Sequence, residues 1–235
     1  MEVMKPISER STAVRRWIAI ALTLLSILSL FWPAAAALNP EAASGSEFAA
    51  MIGKTDEEGL ASVKEFLYKD SGGYREVEAF PELTEKAERS FLDFYRAVRD
   101  GALSFFDVRT VAAALLGTMA DIVRVAQPKS GSFAGISPAI PTAANVAVNV
   151  LFYGMIVFGV FAVLMMLFNK SRVFGVLLTV IAFLFAGVIL MLLIAIPDDH
   201  GVKAFVPGAS LFLLPICSLL ACIVYKRVKP PKRDR

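Results

Sequence analysis

The stretch LFWPAAAALNPEAASG, Leu30 to Gly45, decides how many times this chain crosses a membrane. It closes the first of four apolar runs, and its alanines follow a Trp-Pro pair, as in the small-residue site where a signal peptidase cuts. The same residues also fit the end of a retained membrane helix. The mature chain therefore has three spans if this stretch is cleaved and four if it is kept.

The four apolar runs carry no charged residue, in a chain that is 57% hydrophobic. Each run has about the 20 residues that a helix needs to cross a hydrocarbon core roughly 30 Å thick. We therefore predict an all-α integral membrane protein with one transmembrane helix, an extracytoplasmic helical domain, and three further transmembrane helices. The four predicted spans are residues 17–38, 145–168, 173–196 and 207–225.

The charges around these runs predict how the chain is threaded. Residues 39–144 carry 11 Lys or Arg against 16 Asp or Glu, a net charge of −5. Residues 1–16, the Lys170/Arg172 turn and the tail 226–235 are basic. Because basic residues beside spans stay on the cytoplasmic side, we predict an inner-membrane protein with both termini in the cytoplasm. No nucleic-acid-binding motif accompanies these basic residues. We therefore expect the lipid bilayer and other membrane or envelope proteins as partners, and no nucleic acid.

The first run, residues 17–38, favours a retained helix over a cleaved signal. The 16 residues before Trp17 make a long n-region, and extension through PAAAAL gives a run of 22 residues. A helix of that length measures about 33 Å and puts Trp17 and Trp32 toward opposite membrane interfaces. Pro33 can equally mark the end of the apolar region of a signal peptide, so cleavage remains the alternative.

Residues 39–144 are predicted to form a small helical bundle. Thr55 opens a capping box before one apolar face, a second helix begins near Pro81, and Asp107 can cap a third. A Pro/Gly/Ser linker, residues 128–141, leads into the second span. The second helix ends near Asp100-Gly101, and its solvated face carries the acid–base pairs Glu82–Lys86 and Glu85–Arg89.

An aromatic cluster within this bundle is a candidate partner-binding site. Aromatic residues at helical spacing most often form a core, so burial is the competing interpretation. A surplus apolar face would instead dock on the bilayer or on a partner protein. The cluster consists of Phe91, Phe94, Tyr95, Phe105 and Phe106.

Polar residues within the apolar runs are few, and three of them share one stripe. Asn145, Asn149 and Tyr153 recur every four residues in the outer half of the second span. Amides in hydrocarbon need partners, so helix packing through hydrogen bonds is the expected role, and a polar substrate path is the alternative. Pro215 in the fourth span predicts a kink, because it frees the carbonyl group of Leu211.

The sequence offers little evidence for catalysis. His200, the only histidine, follows Asp198 and Asp199 in an outer loop, and these three are weak candidates for a metal or proton-transfer site. Cys217 and Cys222 point about 140° apart on one helix and cannot form a disulfide within it. No nucleotide-binding, nucleophile-elbow or zinc-spacing motif is present, so we expect no cofactor.

These observations favour a non-enzymatic subunit or scaffold of a bacterial cell-envelope complex, with the helical ectodomain as its partner-binding part. A permease-like transporter component is the alternative. One span, an outside domain and three more spans resembles, in layout alone, the membrane subunits of ABC systems of the cell-division and lipoprotein-export type. An outer-face membrane enzyme is the second alternative and would use His200 or acidic residues of the ectodomain.

Overall fold

The computed structural model is mostly helical and describes residues 7–32, 35–39, 56–58, 61, 80–99, 101–125, 135–195, 203 and 205–226. Within these residues the long helices are α1 (Ile7–Ser29), α2 (Pro81–Arg99), α3 (Phe105–Val125), α4 (Ala139–Leu167), α5 (Val173–Ala195) and α6 (Ala209–Val224). The strands are β1 (Ala36–Leu38), β2 (Ala102–Leu103) and β3 (Phe205–Pro207).

The chain divides into two compact units, each built from segments that are distant in sequence. The membrane unit consists of Met1–Trp32, Leu151–Met191 and Ala209–Arg235. The domain unit consists of Pro33–Val150 and Leu192–Gly208. Helix α4 contributes its N-terminal part to the domain unit and the rest to the membrane unit.

Among the described residues, three helices are long and apolar enough to cross a membrane, which indicates a membrane protein. They are Ser11–Ser29 within α1, all of α4, and Val173–Met191 within α5. Helix α5 begins at the predicted residue. Helix α4 begins six residues before its predicted start, and its 29 residues measure about 44 Å, more than a hydrocarbon core requires.

The predicted first span, 17–38, lies too late in the chain. Helix α1 has 23 residues and ends at Ser29, so the helical extension through PAAAAL is wrong. Ala36–Leu38 form strand β1 instead. The proline in this segment has no amide hydrogen and disfavours a helical residue before it, which explains why the helix stops short. Helix α1 instead extends further toward the N-terminus than predicted, because the mostly polar residues 7–16 are also helical.

The predicted fourth span, 207–225, is also shorter in the structure. Helix α6 has 16 residues, about 24 Å of helix, which is less than the roughly 30 Å of a hydrocarbon core. Pro207 pairs in strand β3 and is thereby removed from the helix. The helix continues through Pro215, whose carbonyl oxygen accepts a 2.9 Å hydrogen bond from the hydroxyl of Ser218.

Helices α1 and α6 pack side by side in the membrane unit. The buried hydroxyl of Ser26 donates a 3.0 Å hydrogen bond to the carbonyl oxygen of Leu214. Because a residue late in α1 meets one early in α6, and the reverse holds at the other end, the two helices are antiparallel. The contact at that other end is a buried cluster of Ala19, Ile20, Met166 and Tyr225.

Small residues allow the helices of the membrane unit to approach closely. A Cβ added at Gly159 of α4 would lie 2.7 Å from both Cδ1 and Cγ1 of Ile27 in α1. Ala182 and Ala186, two small residues of α5, are both buried. Many apolar side chains elsewhere on these helices are exposed, with Met191 at 72%, as expected for a surface that meets lipid or other helices.

A small antiparallel sheet in the domain unit departs from the all-α prediction. Its strand order is β2-β1-β3, and Ala36 pairs with both Leu103 and Pro207. The amide of Ala35 donates a 2.7 Å hydrogen bond to the carbonyl of Leu103, and the amide of Gly208 donates a 3.2 Å bond to the carbonyl of Ala35. Alanine has low β-propensity, so these strands arise from pairing between distant segments rather than from local preference.

The boundaries predicted for the second helix of residues 39–144 are confirmed. Helix α2 begins at Pro81, and Gly101 after its end adopts a left-handed φ of 73°, which suits glycine. The predicted ion pair between Glu85 and Arg89 is present on its surface. The helix predicted after Thr55 lies mostly outside the described residues.

Hydroxyl and charged contacts join α2 to α3. The buried hydroxyls of Ser90 and Thr118 are 2.8 Å apart and share a hydrogen bond. Lys86 forms its ion pair with Asp121 of α3, whereas the sequence had predicted Glu82 as its partner. Tertiary contact thus takes precedence over the local i,i+4 pair, and the helices are paired through polar as well as apolar groups.

A further ion pair joins the exposed Arg96 of α2 to Asp56. The guanidinium of Arg96 donates hydrogen bonds of 2.9 and 3.2 Å to Oδ2 of Asp56. The hydrogen bond and the charge of Asp56 raise the pKa of Arg96 above its ordinary value. Asp56 belongs to the predicted capping box, and its described neighbours Glu57 and Glu58 are helical.

Candidate functional site

The candidate site begins at the first turn of α3, which is fixed by a reciprocal cap. The hydroxyl and the amide of Ser104 donate to Oδ2 of Asp107 at 2.6 and 2.8 Å, and the amide of Asp107 donates to the hydroxyl of Ser104 at 3.1 Å. This is a capping box in which Ser104 is the N-cap. The sequence had assigned the cap to Asp107, which instead acts from inside the first turn.

The side chain of Arg109, one residue beyond that turn, binds the predicted polar stripe. Its Nε donates a 2.9 Å hydrogen bond to Oδ1 of Asn149 in α4, and its Nη2 donates a second bond to the same oxygen. Both groups are partly buried. Hydrogen bonds from a charged donor contribute roughly 1.5–3 kcal/mol, so this contact is a substantial link between α3 and α4.

The other end of the Asn149 amide is engaged within the stripe itself. Its Nδ2 donates to the backbone oxygen of Asn145 at 2.9 Å and to the side-chain oxygen of Asn145 at 2.8 Å. A Cβ added at Gly117 of α3 would lie 3.6 Å from Nδ2 of Asn145. Since Arg109 meets Asn149 and the later Gly117 faces the earlier Asn145, α3 runs antiparallel to this part of α4.

Tyr153, the third residue of the predicted stripe, has different surroundings. It is 50% exposed, and its ring lies edge-on to the ring of Phe152, with 5.6 Å between centroids. The structure therefore brings Asn145 and Asn149 together with Arg109 in the domain unit, while Tyr153 belongs to the membrane unit. At the first two positions of the stripe, Asn149 accepts the hydrogen bonds from α3, and Asn145 accepts those from Asn149.

The predicted aromatic cluster is divided between the core and the surface. Phe105 is fully buried and belongs to the core. Phe106 is 41% exposed and lies at the surface. The side chains of Phe91, Phe94 and Tyr95, which belong to α2, lie outside what the structure describes.

The weak candidates for a metal site lie in a part of the chain that the structure does not describe. His200, Asp198 and Asp199 are outside the described residues. Within the described residues, no group of three or more His, Cys, Asp or Glu side chains is placed to hold a metal ion. Lys203, which is described, donates a 3.0 Å hydrogen bond to the carbonyl oxygen of Ile194.

Sequence reasoning missed Arg109, the residue that gives the stripe its partner. The available signal was a basic residue near the start of a mainly apolar helix, whose other charged residues are Asp107, Asp121 and Arg124. An isolated arginine of this kind can be paired with an isolated amide only when the two helices are known to touch.

Comparison with known proteins adds no assignment to this geometry. No family model, no curated protein and no solved structure matches the chain.

Proposed function

We propose that this protein is a non-enzymatic subunit or scaffold of a cell-envelope complex, anchored by its membrane helices and binding a partner through its helical domain. The hydrogen bonds among Arg109, Asn149 and Asn145 carry the proposal. They use the most polar part of α4 for packing between helices. A stripe employed in this way supports a structural role better than a path for a polar substrate.

The threading that we propose puts the domain unit outside the inner membrane and both termini in the cytoplasm. In this arrangement α6 is the fourth membrane segment, since it lies antiparallel beside α1 and is buried against it. The basic residues Lys170, Arg172 and Lys226 then share the cytoplasmic side. Reporter fusions at Lys129 and Lys229 should report opposite sides, outside and cytoplasm respectively, and a common side would contradict the threading.

Phe106 is the residue through which we propose to test partner binding. It is an exposed aromatic next to the buried Phe105, so it is held on a rigid first turn of α3. Aromatic anchors of this kind contribute disproportionately to protein interfaces. The matched control is Val125, an apolar residue that is 50% exposed at the other end of the same helix.

The experiment compares Phe106→Ser with Val125→Ser in the full chain, purified from membranes after cross-linking. We expect the native protein and Val125→Ser to recover the same partner at a fixed ratio, and Phe106→Ser to lose most of it. Thermal unfolding of each purified variant checks that the fold is kept. Equal recovery by both folded variants would reject Phe106 as the partner contact.

The outer-face enzyme and the permease remain alternatives with distinct signatures. An enzyme would depend on His200 or on acidic residues of the ectodomain, so a folded variant that lacks the reactive group, such as His200→Ala, would lose function while keeping its assembly. A permease would require an ATPase or an ion gradient, and polar substitutions along Asn145 and Asn149 would alter transport before they altered assembly.

A further inference from the structure

A cationic cavity lies between the α4–α5 turn and the end of α6, within the membrane unit. It has a volume of about 310 Å³, and its described lining residues are Lys170, Ser171, Arg172, Tyr225 and Lys226. Three of these five side chains are cations and none is acidic. The cavity therefore concentrates positive charge at the ends of α4 and α5, two helices that are long and apolar enough to cross a membrane.

The turn that carries Lys170 has a fixed backbone. Asn169 adopts a left-handed φ of 52°. Its amide donates a 3.1 Å hydrogen bond to the carbonyl of Met166, and the amide of Lys170 donates a 2.9 Å bond to the carbonyl of Met165. These two bonds form a Schellman motif, which ends α4 and sets the position of Lys170.

The next two residues of the lining begin helix α5. The hydroxyl of Ser171 accepts a 3.2 Å hydrogen bond from the amide of Val173, and the carbonyl of Arg172 accepts the first helical bond, from Val176, at 3.0 Å. The N-terminal end of a helix carries partial positive charge. This end adds to the formal charges of Lys170 and Arg172, so the two cations and the helix terminus favour an anion together.

The opposite wall of the cavity is anchored by Tyr225. The amide of Tyr225 donates a 2.9 Å hydrogen bond to the carbonyl of Ala221, which continues the last turn of α6. Its side chain is buried with the cluster shared by α1 and α4. Because Tyr225 is held in this way, the next residue, Lys226, lies at the cavity wall. It comes from a segment that is distant in sequence from the turn.

We propose that this cavity binds the phosphodiester headgroup of an anionic lipid. Phosphate oxygens suit a site that offers lysine, arginine and hydroxyl groups together. A lipid is favoured over free phosphate because exposed apolar side chains flank the cationic turn. Phe168 is 70% exposed at the end of α4, and Val173 is 57% exposed at the start of α5. These side chains can contact acyl chains while the cations hold the headgroup, on whichever face of the membrane the turn lies.

Native mass spectrometry of the full chain in detergent tests the proposal, with phosphatidylglycerol and phosphatidylcholine as competing lipids. We expect preferential retention of phosphatidylglycerol. Arg172→Gln and Lys226→Gln should each weaken that retention about fivefold, because each removes one cation near the headgroup. The matched control is Arg15→Gln, which removes an equal charge from an exposed position of α1 and should leave retention unchanged.

Two results would overturn the proposal. Equal losses in Arg15→Gln and Arg172→Gln would indicate diffuse attraction to basic residues rather than a built site. Displacement of phosphatidylglycerol by inorganic phosphate at equal concentration would indicate a site for free phosphate. Thermal unfolding verifies each variant. Should Arg172→Gln fail to fold, Lys226→Gln decides the matter, since its side chain is exposed beyond the end of α6.

Discussion

Arg109 of α3 donates two hydrogen bonds to a single atom of α4, Oδ1 of Asn149. The two residues are 40 positions apart in the chain, and the amide that accepts these bonds also donates to Asn145. The side-chain oxygen of Asn149 thus accepts hydrogen bonds from α3, and its side-chain nitrogen donates hydrogen bonds within α4. This relationship links α3 to α4 through Asn149 of the polar stripe.

A double-mutant cycle measures how much the contact between Arg109 and Asn149 contributes to the free energy of unfolding. Asn149→Leu should lower the free energy of unfolding by roughly 1.5–3 kcal/mol, because it leaves the Arg109 donors without their acceptor. Arg109→Met should cost a similar amount, and the double variant should cost less than the sum, with a coupling of about 0.5–3 kcal/mol. Chemical denaturation of the full chain in detergent provides the measurement.

The control for this cycle is Thr142→Val, also in α4. The hydroxyl of Thr142 is exposed and bonds only to the local carbonyl of Pro138, at 2.7 Å, among the contacts described. Its removal should change the unfolding free energy by no more than about 0.5 kcal/mol. Strict additivity of Asn149→Leu and Arg109→Met would contradict the contact.

The close approach of α1 and α4 predicts opposite effects of two identical substitutions. Gly159→Ala should destabilise the protein by about 1–3 kcal/mol, because the new methyl group would meet Ile27. Gly187→Ala should be neutral or stabilise the protein by up to about 1 kcal/mol, because no atom lies within 4 Å and alanine favours a helix. Thermal unfolding in one detergent compares them, and equal shifts would argue against the Gly159 contact.

The sequence predicts some helices well, for physical reasons that can be named. Helix α5 starts at the predicted Val173 because an uncharged run follows directly after Lys170 and Arg172. The first turn of α2 is predicted by Pro81, which has the backbone geometry of a helix start. Local composition and local backbone preference suffice in both cases.

The remaining features depend on contacts between distant segments. Strand β1 is made of alanine and leucine residues with no strand pattern, and exists where β2 and β3 pair with it. Lys86 forms its ion pair with Asp121 rather than with its neighbour Glu82 because α3 packs against α2. Arg109 and Asn149 are likewise joined only by tertiary packing. Periodicity and propensity contain no information on which segments will meet.

The capping box of α3 predicts a measurable loss. Ser104→Ala removes the hydroxyl that both donates to and accepts from Asp107, and should cost about 1 kcal/mol of stability. Thr110→Val, on the next turn, removes an exposed hydroxyl bonded to the carbonyl of Phe106 and should cost less than about 0.5 kcal/mol. Chemical denaturation distinguishes them, and equal costs would show that the box does not stabilise α3.

The contacts that α1 makes with α6, and those that β1 makes in the sheet, predict that the N-terminal helix is retained. Ser26 bonds to Leu214, and Ala35 and Ala36, beside the predicted cleavage site, are buried and paired in the sheet. Cleavage there would remove the partner of α6. Peptide mapping of the protein from membranes should recover residues before Trp17. A mature N-terminus between Ala35 and Asn39 would contradict retention.

The measurement that tests the scaffold account most directly compares the assembly of two full-length variants, Asn149→Leu and His200→Ala. Native gels and cross-linking of membranes report the complex, and any associated cellular activity is scored in parallel. A scaffold requires the α3–α4 contact, so we expect Asn149→Leu to lose most of its complex and His200→Ala to keep both complex and activity. Loss of activity in His200→Ala with its complex intact would contradict the account and favour an enzyme at the outer face.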